Sequence, residues 1–255
     1  MCTLTWRTEG TRYEVHFNRD ERRTRPVARP PQLAMLRGMP YLAPVDPEGG
    51  GTWLAVNACG LTVALLNDYG SPRPARDPGA FRSRGQLVLE LVDCLDADEL
   101  EQQLVSRDLT EFQPFSMYVF TPAADIRAFA WEGSALRRSI AGDGDRPVSS
   151  SSRDQAGAAT QRTRLFQREL ARASCAGGDI TSDLLTRFHR SHEPVRGVHS
   201  PCMHREDAAT VSYSRVAVGP RQVRFDYLAG TPCRGELLPS VVLDRAAAAG
   251  LGSAG

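Results

Sequence analysis

Cys2 follows directly behind Met1. With Met1 removed, which a small second residue permits, Cys2 carries both a thiol and a free α-amine. That amine has an ordinary pKa of about 7.7–8.0, so it can take the thiol proton, and one residue supplies nucleophile and base. This is the chemistry of acyl transfer to sulfur. Downstream, Asn18-Arg19-Asp20-Glu21 is a polar run closing an alternating segment. Placed beside Cys2, it could hold the amine, polarise the thiol and bind an acyl substrate. Taken singly, a Cys at position 2 reads as a small residue at a frayed terminus, and a polar run after a strand as a solvated loop. Their juxtaposition gives them weight.

A second group contains Cys202 and His204, with His199 close by and His189 and His192 upstream. Thiols and imidazoles suit zinc or haem iron. The spacing fits no standard zinc pattern and there is no Cys-x-x-Cys-His. The plainer reading is a polar lead into a strand, and no metal is expected. His204 and Asp207 are kept as ligand-binding candidates, with hydrogen-bonded structural roles as the alternative for Asp207 and Thr210. Gly49-Gly50-Gly51 lacks the Lys-Ser/Thr of a phosphate loop, and Ser149 to Ser152 is not in a nucleophile-elbow context.

These residues need elements to position them. Residues 3–7 and 12–18 alternate as strands, Leu4 and Trp6 against Thr3 and Thr5, then Tyr13, Val15 and Phe17 against Glu14 and His16. A turn at Glu9-Gly10 pairs Cys2 with Phe17, to within a residue or two. Residues 20–50, rich in Arg and Pro, read as a long connection. Residues 53–57 and 61–66 form an apolar hairpin buried on both faces. Helices follow over 83–93 and over 97–105, the latter capped by Asp96 with Glu99 three positions on. Strands cover 115–121 and 126–131, and 142–152 is a polar loop. Helices cover 156–174 and a shorter stretch capped by Thr181. Strands cover 209–218 and 222–228. Hairpins imply antiparallel sheets, and helices arriving in pairs imply two stacked sheets with helix layers outside. The fold class is α+β, with one domain over 1–238 and a disordered Ala/Gly-rich tail over 239–255.

Composition bounds the function. The 255 residues carry a net charge of +1, too little to draw nucleic acid or an anionic membrane. All 31 basic residues are Arg; there is no Lys. No apolar stretch is long enough to span a bilayer, and the N-terminus lacks a signal-peptide pattern. The expected compartment is the cytoplasm, where the six cysteines stay reduced. Oligomeric state is not legible.

Four motifs resemble the NRDE family, which takes its name from Asn-Arg-Asp-Glu and includes transport and Golgi organisation protein 2. They are Met1-Cys2-Thr3; Phe17-Asn18-Arg19-Asp20-Glu21; Gly51-Thr52-Trp53-Leu54-Ala55-Val56-Asn57 with Gly60 and Ala64-Leu65-Leu66-Asn67; and Pro201-Cys202-Met203-His204-Arg205-Glu206-Asp207 through Ser212 with Gly230-Thr231-Pro232-Cys233. The resemblance spans about residues 1–235. It implies a four-layer αββα sandwich of the N-terminal-nucleophile hydrolase type, similar more distantly to choloylglycine hydrolases and penicillin acylases, which cleave non-peptide amides. On that resemblance Cys2, Arg19, Asp20 and Asn67 are the catalytic candidates, with Asn67 as an oxyanion donor, and Asn18 and Glu21 are substrate-binding candidates. No cofactor is implied. The distant group spaces its Arg and Asp three apart, whereas Arg19 and Asp20 are neighbours. Either the strand ends there or only one of the two faces Cys2. That group's second oxyanion Asn has no counterpart; Ser149 to Ser152 occupies roughly its place. The family's association with haem or lipid trafficking implies an alternative, a non-catalytic carrier of haem or an acyl-lipid. The expected partner is thus a small amide or a hydrophobic ligand.

Overall fold

The computed structural model describes residues 2–72, 77–123, 125–175 and 177–246. The first hairpin joins β1 (Cys2–Glu9) to β2 (Arg12–Arg22). Its turn is Gly10-Thr11, with Gly10 at φ +57°, one step beyond the expected Glu9-Gly10. Cys2 therefore pairs with Arg19, not Phe17. A slip of two residues keeps each side chain on its expected face and sets Arg19 directly opposite Cys2.

The chain then crosses to a second sheet. Residues 20–50 are not one connection: β2 continues to Arg22, and β3 (Arg29–Leu36) and β4 (Met39–Val45) form a further hairpin. Pro30 and Pro31 hid β3. Prolines cannot complete a ladder, but β3 is an edge strand whose register shifts between Arg29 and Gln32, and there they are tolerated. The apolar hairpin follows as β5 (Leu54–Asn57) and β6 (Thr62–Asn67), buried on both faces except at Asn67. Then come α1 (Arg84–Glu90), α2 (Ala97–Val105), β7 (Phe115–Phe120) and β8 (Ile126–Trp131). The Asp96 side chain accepts from the Glu99 amide at 2.9 Å, as a capping residue should.

Two further strands escape the alternation pattern, one just before the stretch 142–152 expected as a polar loop and one inside it. β9 (Leu136–Ile140) is the outer edge of the second sheet and largely exposed, so it shows no alternation. β10 (Val148–Ser150) is three residues long and pairs with β1. Helices α3 (Gln155–Cys175) and α4 (Ser182–Arg190) lead to β11 (Ala208–Val218) and β12 (Gln222–Ala229). The domain does not end at 238: β13 (Val241–Asp244) adds an edge strand to β12, so the expected tail is ordered over these residues. Residues 247–255 of that tail lie outside the described residues.

Two antiparallel sheets result, β10-β1-β2-β11-β12-β13 and β3 through β9 in chain order. Leu4, Trp6 and Phe17 of the first pack against Leu54, Val56 and Phe120 of the second. The second sheet's other face packs Val63 and Leu65 under Leu87, Leu91 and Leu100 of the α1–α2 region. Helices α3 and α4 cover the first sheet, with Phe166 edge-on to Phe188 at 5.1 Å. The αββα sandwich expected from the sequence is the fold observed. Among the described residues, no helix is long and apolar enough to cross a membrane.

Gly51 and Gly85 explain the close approach of α1 to β5. Thr52 N–H donates to Gly85 C=O at 3.0 Å, and a Cβ on Gly51 would lie 2.2 Å from the Gly85 carbonyl carbon. Backbone cannot yield as a flexible side chain does. Gly51→Ala is expected to lower stability by about 1–3 kcal/mol, read as a lower urea midpoint at unchanged slope.

Candidate active site

Strand β1 has neighbours on both sides, so Cys2 lies opposite Arg19 on one side and Ser150 on the other. Directly opposed residues share a face and successive residues alternate. Cys2, Arg19 and Ser150 thus face the second sheet, while Thr3, Asn18 and Asp20 face the α3–α4 layer. The strand does not end at Arg19, so of the two neighbours Arg19 alone shares the face of the thiol. Ser150, from the segment matched to the missing Asn, is buried, and its hydroxyl has no hydrogen-bond partner among the described residues.

Cys2 opens onto a cavity of about 450 Å³ whose wall includes Arg19, Glu21, Asp46, Trp53, Asn67 and Arg84. The Arg19 guanidinium lies 4.4 Å from the Trp53 ring centre and donates to Asp46 Oδ2 at 3.0 Å. Arg25 donates to the same oxygen from Nη2 at 2.6 Å and Nε at 3.0 Å. Burial pushes the Asp46 carboxyl up, but the Arg25 hydrogen bond and the Arg19 and Arg25 charges outweigh it and hold its pKa below the usual value. Glu21 lies 3.8 Å from Arg19 and 3.6 Å from Arg25. Asn67, at the end of β6, donates to Tyr69 Oη at 3.1 Å.

Burial raises the Cys2 thiol pKa above its ordinary value, and the Asp20 charge adds to this. The amino-terminal charge, the Asp20 amide hydrogen bond and Arg19 pull it down, without overcoming burial. The Asp20 carboxylate is on the helix side, where Oδ1 accepts from Thr210 Oγ1 at 2.6 Å and Oδ2 from Arg162 Nη2 at 3.5 Å. Arg162 also donates through Nη1 to Thr3 Oγ1 at 2.6 Å and to the Cys2 carbonyl at 3.3 Å. This fully buried residue escaped the sequence reading. Its signal was there: an Arg in line with Ala158, Leu165 and Phe166 on the apolar face of α3.

The other candidates lie elsewhere. Asn18 is not in the cavity wall; its Nδ2 donates to the His189 and Pro201 carbonyls at 2.8 and 2.9 Å, tying β2 to the helix layer. Asp207 is exposed and paired with Arg205. His204 meets His192, Cys202 and Cys233, the four ligand atoms lying within 4.8 Å of one another. The linear spacing concealed this cluster because its members come from three separate segments. Of the other histidines, His199 pairs with Asp154 at 2.8 Å and His189 with Thr5 Oγ1 at 2.8 Å.

The sequence profile of the Transport and Golgi organisation 2 family matches residues 1–145 of the 255. The chain belongs to this family. The family match takes in Cys2, the Asn18–Glu21 run, Asn67 and the cavity segments; the later motifs around Cys202 and Cys233 fall beyond it. No curated protein sequence matches the chain. Solved structures share its fold. Penicillin V acylase from Agrobacterium tumefaciens aligns over 93% of this chain and 84% of its own, at 10% identity and TM-score 0.56. A mutant conjugated bile acid hydrolase from Clostridium perfringens aligns over 96% and 92%, at 10% identity and TM-score 0.55. An N-acylethanolamine-hydrolyzing acid amidase orthologue from Caenorhabditis elegans aligns over 84% and 92%, at 10% identity and TM-score 0.58. The family member described here thus has an N-terminal-nucleophile hydrolase-like fold with a buried Cys2 at the start of its first strand.

Removing the Arg162 charge would take a fully buried ion-pair partner from the Asp20 carboxylate. Arg162→Met is expected to cost about 3–5 kcal/mol in chemical unfolding. Adding Asp20→Asn should restore part of that loss.

Proposed function

We propose that this protein is an N-terminal cysteine amidohydrolase that cleaves a small non-peptide amide bearing an anionic or strongly polar acyl part. The observation that carries the reading is Cys2 itself, directly opposite Arg19 and open to a cavity that also holds Asn67. Removal of Met1 would leave the α-amine on the residue that bears the thiol. The α-amine accepts the thiol proton as sulfur attacks the amide carbonyl. Asn67 Nδ2, turned from Tyr69, and a backbone amide stabilise the oxyanion. The ammonium returns its proton to the leaving nitrogen, the C–N bond breaks, and the amine departs. Water then adds to the thioester, releasing the acid and the thiol. In this reading Arg19 steadies the thiolate or meets a substrate carboxylate, and Asp20 is a positioning residue acting through its amide and through Arg162.

The carrier of haem or an acyl-lipid is the rival reading. The wall around Cys2 speaks against it, because Arg19, Arg25, Arg84, Glu21, Asp46 and Glu48 all line the cavity. Pockets for hydrophobic ligands are lined mainly by apolar side chains.

Intact mass of natively produced protein, before and after limited alkylation, tests the nucleophile. The expected result is loss of Met1 and preferential labelling of Cys2, with turnover of N-acyl amide panels that Cys2→Ala abolishes. Asn67→Ala should lower kcat by about 10²–10³. Retained Met1 with an unlabelled Cys2 would overturn the reading. The pH profile of labelling gives a separate check. Arg19 lowers the thiol pKa, so Arg19→Met should move the labelling midpoint to higher pH, whatever it does to the plateau rate.

A further inference from the structure

The cluster around His204 has the dimensions of a closed metal site. His192 Nε2 and His204 Nε2 are 3.2 Å apart, and His204 Nε2 is 3.5 Å from both Cys202 Sγ and Cys233 Sγ. A tetrahedral zinc with bonds of about 2.3 Å to sulfur and about 2.0–2.1 Å to nitrogen requires edges of about 3.3 Å between nitrogens and about 3.5 Å between nitrogen and sulfur. Three observed separations already match those edges, and all four ligand atoms lie within 4.8 Å of one another. Two thiolates and two imidazoles are a donor set selective for zinc among abundant divalent ions.

We propose that His192, Cys202, His204 and Cys233 bind one structural Zn²⁺ in a tetrahedral two-sulfur, two-nitrogen site. Four protein ligands close the coordination sphere, which makes the ion a staple and not a Lewis acid for substrate. Binding converts two thiols to thiolates and releases two protons to solvent, with no change of oxidation state. The staple joins three segments that backbone hydrogen bonds bring side by side: the exit of α4, the lead into β11, and the turn after β12.

Its position gives it a further consequence. Met203, between two of the ligands, exchanges two hydrogen bonds with Thr210: the Thr210 amide donates to Met203 C=O at 2.9 Å, and the Met203 amide donates to the side-chain Thr210 Oγ1 at 2.8 Å. Thr210 Oγ1 in turn donates to Asp20. Met203 also packs with Tyr69, the partner of Asn67. The metal loop thus braces both the Asp20 and the Asn67 sides of the Cys2 cavity. This inference is independent of amidohydrolase activity.

The test uses the full chain, reduced, with free thiols verified by mass. Purified without added metal, it should contain about one zinc per chain by elemental mass spectrometry. Cobalt(II) in place of zinc should give the sulfur-to-cobalt charge-transfer band and the visible bands of a tetrahedral thiolate site. Cys202→Ser and Cys233→Ser should each weaken zinc binding by roughly 100-fold or more, His192→Gln should weaken it measurably, and the exposed Cys175→Ser should leave it unchanged. A high-affinity chelator should lower the Tm of the wild-type chain. If the fully reduced wild-type chain binds neither zinc nor cobalt stoichiometrically, or if Cys175→Ser removes the binding, the proposal is wrong. The cobalt spectrum is read on the wild-type protein, so it stands even where a variant fails to fold.

Discussion

Arg162 is 0% exposed, and its guanidinium must find oxygen partners inside the protein, because an unpaired buried charge is prohibitively costly. It finds them on three parts of the chain: Cys2 C=O and Thr3 Oγ1 on β1, the Asp20 carboxylate on β2, and the carbonyls of Val198 and His199, at 3.2 and 3.4 Å, in the segment before β11. One helix residue thereby fixes the start of the first strand against the second. The polar face that β1 and β2 turn toward the helices follows from the same constraint. Thr3, Thr5, His16, Asn18 and Asp20 are all buried there. Thr3, Thr5, Asn18 and Asp20 each have a polar contact to the helix layer or its flanking segments, and His16 reaches it through Tyr213, whose hydroxyl meets Thr186 of α4, so the layer is held in one register and not merely covered.

On the opposite face the same two strands present Cys2 and Arg19 to a cavity held open by ion pairing. Arg19, Asp46 and Arg25 form a chain of contacts that runs from β2 to the segment after β4. Trp53 lies against Arg19, and its indole Nε1 is buried with no hydrogen-bond partner among the described residues. The cavity is therefore a shaped polar space, in contrast with the dry packing of Leu4, Phe17, Leu54 and Val56 beside it.

Much of this was legible in the residues because the signals were periodic or local. The β1–β2 hairpin, the caps at Asp96 and Thr181, and the doubly buried β5–β6 pair follow from alternation, turn chemistry and side-chain acceptors. The turn position was off by one residue, and the pairing by two, yet a period of two leaves faces unaffected. What escaped has physical reasons. Pro30, Pro31, Pro40 and Pro44 mask strands that lie at or beside a sheet edge. Exposed Arg137 and Arg138 mask β9. β10 and β13 are too short to show a period. Asn18 looked like a site residue because it adjoins Arg19, which lines the cavity, but parity turns it to the other face. Arg162 and the His192–Cys233 cluster depend on long-range docking, which no local pattern encodes.

The absence of lysine acquires a meaning once the cavity wall is known. Its cations are guanidiniums, whose planar forks of donors match a carboxylate two bonds at a time. Its acids are carboxylates, and among the described residues no imidazole or phenol lines it. Among the described residues that line it, Cys2 carries the one thiol. The same scarcity leaves no lysine side chain to compete with an N-terminal α-amine, which makes that amine a distinctive chemical address.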